Sequence, residues 1–259
     1  LETGSLSTVS HAIITASRGA FEVESGADLT IESSQITDSI IGIWNKGSVS
    51  GNGIECFTAT VTCLQVDGIA NLNNISSTNS AGVVHVSNGG DATIGAIHSN
   101  QDAGVLVLDG GSTYSGAIYA GGFNRMIRAS DSVTATVTPV VTSSGGTLVE
   151  GHSLSGLVVN NGRAIEANGT VSSLLIGSVE DVELNSITIE CDGTTNCIDA
   201  QVHGGLIIHE SSIGQQASET SVFARFRGIG EVNMNEVNLT ANSTLFDIAG
   251  DGDLNIINS

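Results

Sequence analysis

The stretch that decides the fold runs from Gly82 to Met126 and contains one unit twice. The first copy reads GVVHVSNGGDATIGAIHSNQDA (82–103), and the second reads GVLVLDGGSTYSGAIYAGGFNRM (104–126). In both copies an alternating apolar run is followed by a Gly-rich turn, a second short strand and a polar loop. Self-similarity at a fixed period of about 20 to 50 residues is typical of stacked repeat proteins, because one unit cannot bury its own apolar face.

The same unit can be followed outward through the chain. Eleven apolar strand starts recur with a mean step of about 22 residues, at Phe21, Ile41, Leu64, Val83, Val105, Ile127, Leu148, Leu174, Ile198, Phe223 and Leu245. Alternating runs rich in Val, Ile and Thr, bounded by Gly, Asn, Asp and Ser, predict strands and turns. Between 148 and 197 the register stays open, because one step is 26 residues long and AIEAN (164–168) is an alternative strand start.

These observations predict an all-β fold, a parallel β-helix solenoid of about eleven coils with about 22 residues each. The prediction is one domain over 1–259, with partial coils at 1–20 and 245–259. Glycine is expected at the corners of the coil, where positive φ or a tight approach is required. A sandwich of seven to nine strands is the alternative fold. A leucine-rich repeat does not fit, because its Leu/Asn consensus is absent.

In coil length and pattern, nearly the whole chain resembles the right-handed parallel β-helix superfamily. This is the pectin-lyase-like fold that many surface adhesins and phage tailspikes share. The resemblance implies a single-stranded, right-handed coil, and it does not rest on a catalytic motif. Because one fold can serve many functions, the function has to be argued from the site.

The charge of the chain excludes some partners. Asp and Glu number 27 against 7 Lys and Arg, which gives a net charge of −20. Nucleic-acid binding and binding to an anionic membrane both depend on clusters of Lys and Arg, so neither is expected. No apolar run approaches the roughly 18 residues of a membrane span. Residue 1 is Leu, so we interpret the chain as a processed product or an excised segment.

The four cysteines form two local pairs, Cys56 with Cys63 and Cys191 with Cys197. Both pairs end directly before a strand start, so we expect them at the same corner of the coil, six coils apart. Six coils separate the pairs by about 30 Å, too far to share one tetrahedral zinc. Two disulfides in an oxidising compartment are predicted. Four buried free thiols in a cytosolic protein are the alternative.

The sequence gives less support to the other candidate sites. N-x-S/T sequons occur at Asn74, Asn168, Asn238 and Asn242, about as many as chance predicts in this composition. No cofactor is expected. Asp251, Asp253 and Asn255 match the first calcium-ligand positions of an EF-hand, but the Gly and the final Glu of that motif are absent. A polar corner is therefore the simpler interpretation. The six histidines lack metal-ligand spacing.

The sequence leaves three classes of function open. A polysaccharide-degrading enzyme needs a carboxylate cluster, a nearby cation and usually aromatic sugar platforms. Only Arg125/Arg128 and Arg225/Arg227 are close cation pairs, and His152 is the least implausible catalytic histidine. Aromatic residues make up 3% of the chain. No enzyme activity is therefore predicted. An adhesin-like module that binds a glycan or a surface receptor is the first alternative. An extracellular structural rod is the preferred hypothesis.

The two ends of the sequence suggest how such a rod assembles. Solenoids normally close their ends with polar caps, because open strand edges pair with other chains. Neither LETGSLSTVSHAIITASRGA (1–20) nor GDLNIINS (252–259) has the pattern of a cap. We therefore expect either a fragment of a longer rod or head-to-tail self-association into a filament, in which one partial coil completes the next.

Overall fold

The computed structural model describes residues 1–16, 18–164, 169–216, 222–241 and 244–258. Within these ranges the chain forms strands and turns and no helix. The strands are β1(Leu6–Ser10), β2(Ile13–Thr15), β3(Gly19–Val23), β4(Asp28–Thr37), β5(Ile41–Asn45), β6(Ser48–Phe57), β7(Thr62–Val66), β8(Ile69–Thr78), β9(Gly82–Val86), β10(Asp91–Asn100), β11(Gly104–Leu108), β12(Thr113–Gly121), β13(Arg125–Val141), β14(Gly145–Asn160), β15(Arg163–Ala164), β16(Thr170–Asn185), β17(Thr188–Cys191), β18(Ile198–His209), β19(Ser212–Gln215), β20(Ala224–Gly228), β21(Glu231–Asn235), β22(Asn238–Thr240), β23(Phe246–Ala249) and β24(Asp253–Ile257).

All paired strands are parallel, and each strand pairs with its equivalent one coil away. Three faces result, which we call first, second and third in chain order. In β4, for example, residues 28–32 lie on the second face with β1, and residues 34–37 lie on the third face with β2. The first face consists of β3, β5, β7, β9, β11, β20, β23 and the opening parts of β13, β14, β16 and β18. One row of aligned residues runs along it: Phe21, Ile43, Leu64, Val84, Leu106, Ile127, Val149, Leu175, Ile198, Ala224 and Phe246.

The core is an aliphatic column enclosed by the three faces. Because side chains alternate along a strand, every second residue points inward and stacks on its equivalent in the next coil. On the second face one such row begins Leu29, Val49, Ala70, Ala92, all 0–1% exposed. The same buried cluster continues to Val237, so one core runs through nearly the whole described chain.

The predicted β-helix is confirmed as a parallel β-solenoid with coils about 22 residues apart. Nine of the eleven predicted strand starts lie inside first-face strands. The other two, Phe223 and Leu245, directly precede β20 and β23. The sandwich alternative is wrong, because its strands would be mainly antiparallel.

The register between 148 and 197 is now defined. Val149 aligns with Leu175, so this coil does have a step of 26 residues. Ala164 belongs to β15 on the third face, and Val141 is its partner one coil earlier. The alternative strand start AIEAN (164–168) is therefore wrong for Ala164, which does not lie on the first face. Its other residues, Ile165 to Asn168, lie outside the described residues.

Glycine takes positive φ at corners such as Gly26 and Gly89, and other residues take corner positions as well. Where the third face turns into the first, four successive coils carry non-glycine residues with positive φ: Asp38 (54°), Thr58 (56°), Asn79 (57°) and Gln101 (57°). The N–H of each donates to a carbonyl of the next coil. Because every corner residue gains a ladder hydrogen bond, the coil accepts a conformation that costs a non-glycine residue about 1 kcal/mol or more.

A first test concerns Tyr114, whose ring is buried in the core. Its hydroxyl has no hydrogen-bond partner among the described residues, and burial raises its pKa. We expect Tyr114→Phe to leave the free energy of unfolding unchanged or raise it by about 1 kcal/mol, because an unsatisfied buried hydroxyl is removed. Tyr114→Ala, which empties the same space, should lower it by about 3–5 kcal/mol. Denaturant titration followed by circular dichroism measures both, and a clear loss for Tyr114→Phe would contradict the placement.

Candidate functional site

The outward side of the first face gathers most of the cations of the chain. On or directly beside its strands are six of the seven Lys and Arg, namely Arg18, Lys46, Arg125, Arg128, Arg225 and Arg227. Seven carboxylates accompany them: Glu22, Glu24, Asp67, Asp109, Glu150, Asp199 and Asp247. Six positive against seven negative charges make this face nearly neutral, whereas the whole chain carries −20.

Ion pairs on this face connect neighbouring coils. Arg225 lies 3.0 Å from Asp247 on the following coil and 3.7 Å from Asp199 on the preceding one. Arg227 also pairs with Asp199. These side chains are roughly a quarter to a half exposed, so each pair adds little stability on its own. Their main effect is to balance charge where like charges would otherwise stack along the rod.

The most developed side-chain network surrounds Trp44, the only tryptophan in the chain. Its Nε1–H donates to Asp67 Oδ2 at 2.8 Å, one coil further on. The Lys46 ammonium lies 4.3 Å from the ring centroid, a cation–π distance. Lys46 is itself held by Glu22 at 2.7 Å and Glu24 at 3.1 Å, one coil earlier. Three successive coils therefore fix the indole ring on the outer surface.

Three ionisable groups of this network have shifted pKa values. The hydrogen bond and charge of Lys46 lower the pKa of Glu22, and the two carboxylates raise the pKa of Lys46. Burial alone would raise the pKa of Asp67, but hydrogen bonds from Ser87, Trp44 and neighbouring amides outweigh it and lower that pKa. Perturbed groups that cluster in this way mark candidate functional sites, although structural networks also produce them.

A surface depression adjoins the indole. Its lining residues are Arg18, Gly19, Phe21, Glu22, Ile40, Ile41 and Trp44, and its volume is about 500 Å³. Ile40 is 43% exposed and Trp44 is 37% exposed, so apolar surface meets solvent here. One cation and one anion stand at the rim, which gives the depression a mixed apolar and polar lining without a net charge.

A second cluster brings together the residues considered for catalysis. Glu150 accepts from Arg125, has Arg128 4.0 Å away, and has the Nε2 of His152 at 3.1 Å. Nearby, His85 Nε2 lies 2.8 Å from Asp109. Among the described ion pairs Glu150 is the only carboxylate of its cluster, whereas glycoside hydrolysis normally uses two opposed carboxyl groups. The contacts of Glu150 are charge pairs within its own coil and with the preceding coil.

The two cysteine pairs lie where the sequence placed them. The structure joins Cys56 to Cys63 and Cys191 to Cys197, with Cα–Cα distances of 5.9 and 5.7 Å. All four are at most 1% exposed and belong to the core. Cys63 and Cys197 each precede a residue of the first-face row, Leu64 and Ile198, six coils apart. A shared metal site is therefore ruled out by distance, and the pairs act as staples.

A buried carboxylate next to the first staple was not foreseen. Asp102 is 0% exposed. It accepts from Ser80 N–H at 2.6 Å, from Ser99 Oγ at 2.7 Å and from Ser77 Oγ at 3.0 Å. Burial raises the pKa of Asp102 although these hydrogen bonds oppose the shift. In the sequence Asp102 is one residue of a polar loop. The cluster is not visible there, because Ser77 and Ser80 come from the preceding coil.

The remaining candidates stay separate. Asn74 is half-buried and donates to Asn52 at 2.8 Å, and Asn238 is exposed; Asn168 and Asn242 lie outside the described residues. The amide of Asn255 donates to Glu231 at 2.8 Å and Asn233 at 3.1 Å, so it belongs to a polar ladder. Within the described ranges no His, Cys, Asp or Glu group has a metal-site arrangement, including the residues around Asp251 and Asp253.

Fold and surface together define a disulfide-containing parallel β-solenoid with one nearly neutral face. A scan against protein-family models found no match, and searches of the curated proteins and of the solved structures found none at a significant level. In the described part of the chain, no helix has the length and apolar character of a membrane span.

The disulfides can be tested by peptide mapping without reduction. We expect Cys56–Cys63 and Cys191–Cys197 as the two cross-links, because each pair lies within one corner and the two corners are about 30 Å apart. In the chain-entropy model such short loops stabilise by about 2–3 kcal/mol each, so reduction should lower the unfolding temperature without abolishing the fold. Free thiols or a cross-pair in the oxidised protein would contradict this assignment.

The Trp44 network predicts a pH response of the single tryptophan. Since the pKa of Asp67 lies below its ordinary value of 3.8, the carboxylate stays ionised on the neutral side of that value. The stability it contributes is present above 3.8 and is lost as pH falls through the lowered pKa. We expect Trp44 fluorescence to stay constant from pH 7 to about 4 and to change only below that.

Asp67→Asn is the matched variant for this measurement and should reduce the transition to the part that Glu22 contributes through Lys46, with circular dichroism at each pH as the control for unfolding. A midpoint above 3.8 in the unmodified protein would show that the carboxylate is not held as described.

Proposed function

We propose that this chain is an extracellular, non-enzymatic structural protein, a β-solenoid rod whose copies associate end to end. The observation that carries the proposal is the exposure of core side chains at the two ends of the described rod. Rows of side chains that are fully buried along the rod become exposed there, and the strand edges beside them are unpaired.

At one end the contrast within single rows is large. Ile256 is 44% exposed, whereas its row neighbour Met234 is 1% exposed. Ile248 is 51% exposed, against 4% for Phe226. At the opposite end Val9 is only half-buried, although it stacks on the fully buried Ile31. Burial of such surface gives about 25 cal/mol per Å², so another coil over either end is favourable.

The strand edges point to the same contact. Among the described strands, β1 and β2 pair only with β4, and β23 and β24 pair only with β20 and β21. Open edges of this kind are templates for adding another strand. A heterologous contact between unlike ends does not close on itself, so repeated addition gives a filament.

The register defines which strands would meet. Both end coils contain a second-face strand, and the rows place Leu6 and Asp253 at equivalent positions. A copy that stacks β1 on β24 would therefore bring Val9 over Ile256. In this arrangement the two partial coils would overlap at the second face, whereas the sequence led us to expect that one partial coil completes the next.

Two further observations support the rest of the proposal. Buried disulfides are typical of proteins from oxidising compartments, which supports an extracellular location. The Glu150 cluster lacks a second carboxylate among its described partners, which favours a non-enzymatic role over polysaccharide degradation. An adhesin-like role is the second candidate, because the Trp44 depression combines aromatic and polar groups on an exposed face.

The end contact is tested with chain 1–259 by light scattering and negative-stain electron microscopy over a range of concentrations. We expect concentration-dependent filaments. Ile256→Glu should raise the concentration needed for assembly at least tenfold, because a charge would be buried in the contact. Val61→Glu is the control, since Val61 is 50% exposed but lies beside β7, which has a coil on either side, and it should assemble normally.

Monodisperse monomers at high concentration, or equal assembly of both variants, would overturn the proposal. The mass of the native polypeptide separates it from the competing explanation, a longer chain whose own coils cover these edges.

A further inference from the structure

We propose that the first face is a lateral interface through which two copies of this chain pair side by side, with their rods antiparallel. The copies are related by a twofold axis that runs along the strand direction between β11 and β13, in the middle of the described rod. This inference goes beyond the end-to-end contact, because it concerns a different surface. It rests on the charge balance of the first face, on the order of its side chains and on its size.

The first face is where two copies repel each other least. Its six cations and seven carboxylates nearly cancel, whereas the whole chain carries −20. The other surfaces therefore hold almost all of the net negative charge, and two copies that met through them would repel each other. Charge balance alone admits many partners, so the partner has to be identified from the order of the charges.

The order of the outward side chains is complementary to its own reverse. One outward row begins at Glu22, passes through Val107 and Arg128 in adjacent coils, and ends at Asp247. A twofold axis between Val107 and Arg128 keeps the position along the strand and reverses the order of the coils. The five residues of the row before the axis then face the five residues after it in the second copy, as in any isologous contact.

Among these described positions no like charges face each other. Glu22 faces Arg225, His85 faces Glu150, and Val107 faces Arg128 of the second copy. In each of the other two pairs at most one member is charged. Complementary charges across a contact select the partner and fix the register. The partner that carries the complementary order is a second copy of this chain.

A slip by one coil in either direction brings like charges together. With the axis through β11, Asp109 would face Asp109, and Glu22 would face Asp199. With the axis one coil further on, Arg128 would face Arg128. In a parallel pair each coil would face its own equivalent, so Arg125 and Arg128 would meet the same two arginines. The antiparallel register between β11 and β13 avoids all of these contacts.

Two weakly paired charges lie beside the proposed axis. Arg128 is 51% exposed on its side chain, and its described ion-pair partner Glu150 is 4.0 Å away. Asp109 is 48% exposed, and its described ion-pair partner is His85. Asp109 lies two residues from Val107, about 7 Å along the strand, so the long side chain of Arg128 from the second copy can reach it. A depression of about 160 Å³ at His85, Val107 and Asp109 adjoins this point, and the twofold axis makes the contact occur twice.

The face is large enough for a specific dimer. Ten facing coils at about 4.8 Å each, with strands about 17 Å long, cover roughly 800 Å² on each copy. Specific protein interfaces bury about 800 Å² per partner. The contact is centred five coils from the first described strand of this face, so it does not depend on the open ends of the rod.

The test uses chain 1–259 with Ile256→Glu, in which the end contact is blocked. Analytical ultracentrifugation should show a monomer–dimer equilibrium that is half dimeric below about 0.1 mM. Small-angle X-ray scattering then identifies the arrangement. A side-by-side pair is about 50 Å long, like a single rod, whereas an end-to-end pair is about 100 Å long.

Charge reversal tests the register in the same background. Asp109→Lys places a cation opposite Arg128, and Arg128→Glu places a carboxylate opposite Asp109, so each variant should dimerise at least tenfold more weakly. An equimolar mixture of the two variants should dimerise again, because each copy then meets the opposite charge. Asp91→Lys makes the same charge change at an exposed position of the second face and should dimerise like the parent chain.

Circular dichroism establishes that each variant folds, and recovery in the mixture cannot come from misfolded chains. The inference would be overturned by monomers at about 1 mM, by dimers about 100 Å long, by single variants that dimerise like Asp91→Lys, or by a mixture that stays monomeric. The end-to-end proposal is judged separately from filaments of the unmodified chain, since loss of the end contact leaves the first face intact.

Discussion

The parallel ladder between successive coils is the constraint on which everything else in this molecule depends. Every strand must find its hydrogen-bond partners one coil away, so each residue is obliged to stack on an equivalent residue about 22 positions along the chain. Inward positions then become continuous aliphatic rows, and outward positions become rows in which charges and amides meet. Corners are held to the same rule, which is why residues such as Thr58 and Gln101 keep positive φ and still donate to the next coil.

That rule also explains how much of the structure the sequence could reveal. The period of the apolar runs was sufficient to place Leu64 or Ile198 in one row and to put both cysteine pairs at one corner. It could not reveal which outward side chains touch. Trp44 and Asp67 are 23 residues apart, and Ser77 and Asp102 are 25 apart, so their contacts depend on the exact length of each intervening loop. Where a coil is longer, as after Val149, the period alone left the register open.

The candidate sites are therefore products of stacking and not of local motifs. Each coil contributes one or two side chains, and a site appears where two or three neighbouring coils supply groups of complementary chemistry. Around Trp44 these are carboxylates before and after an aromatic ring with its own lysine. Around Glu150 they are cations from one coil and an acid and a histidine from the next. The same backbone arrangement yields a platform in one place and a charge pair in another.

The corner staples have a mechanical consequence. If the rod is pulled from its two ends, coils peel away one by one, and a coil of 22 residues releases about 75 Å of contour length at roughly 3.4 Å per residue. Cys56 and Cys63 are 7 positions apart and the bond holds their Cα atoms 5.9 Å apart, so it withholds about 18 Å from the coil that opens there. The bonds leave neighbouring coils free to separate, yet they limit extensibility at two points, six coils apart. Reducing agents would lengthen the fully extended tether without changing the length of the intact rod.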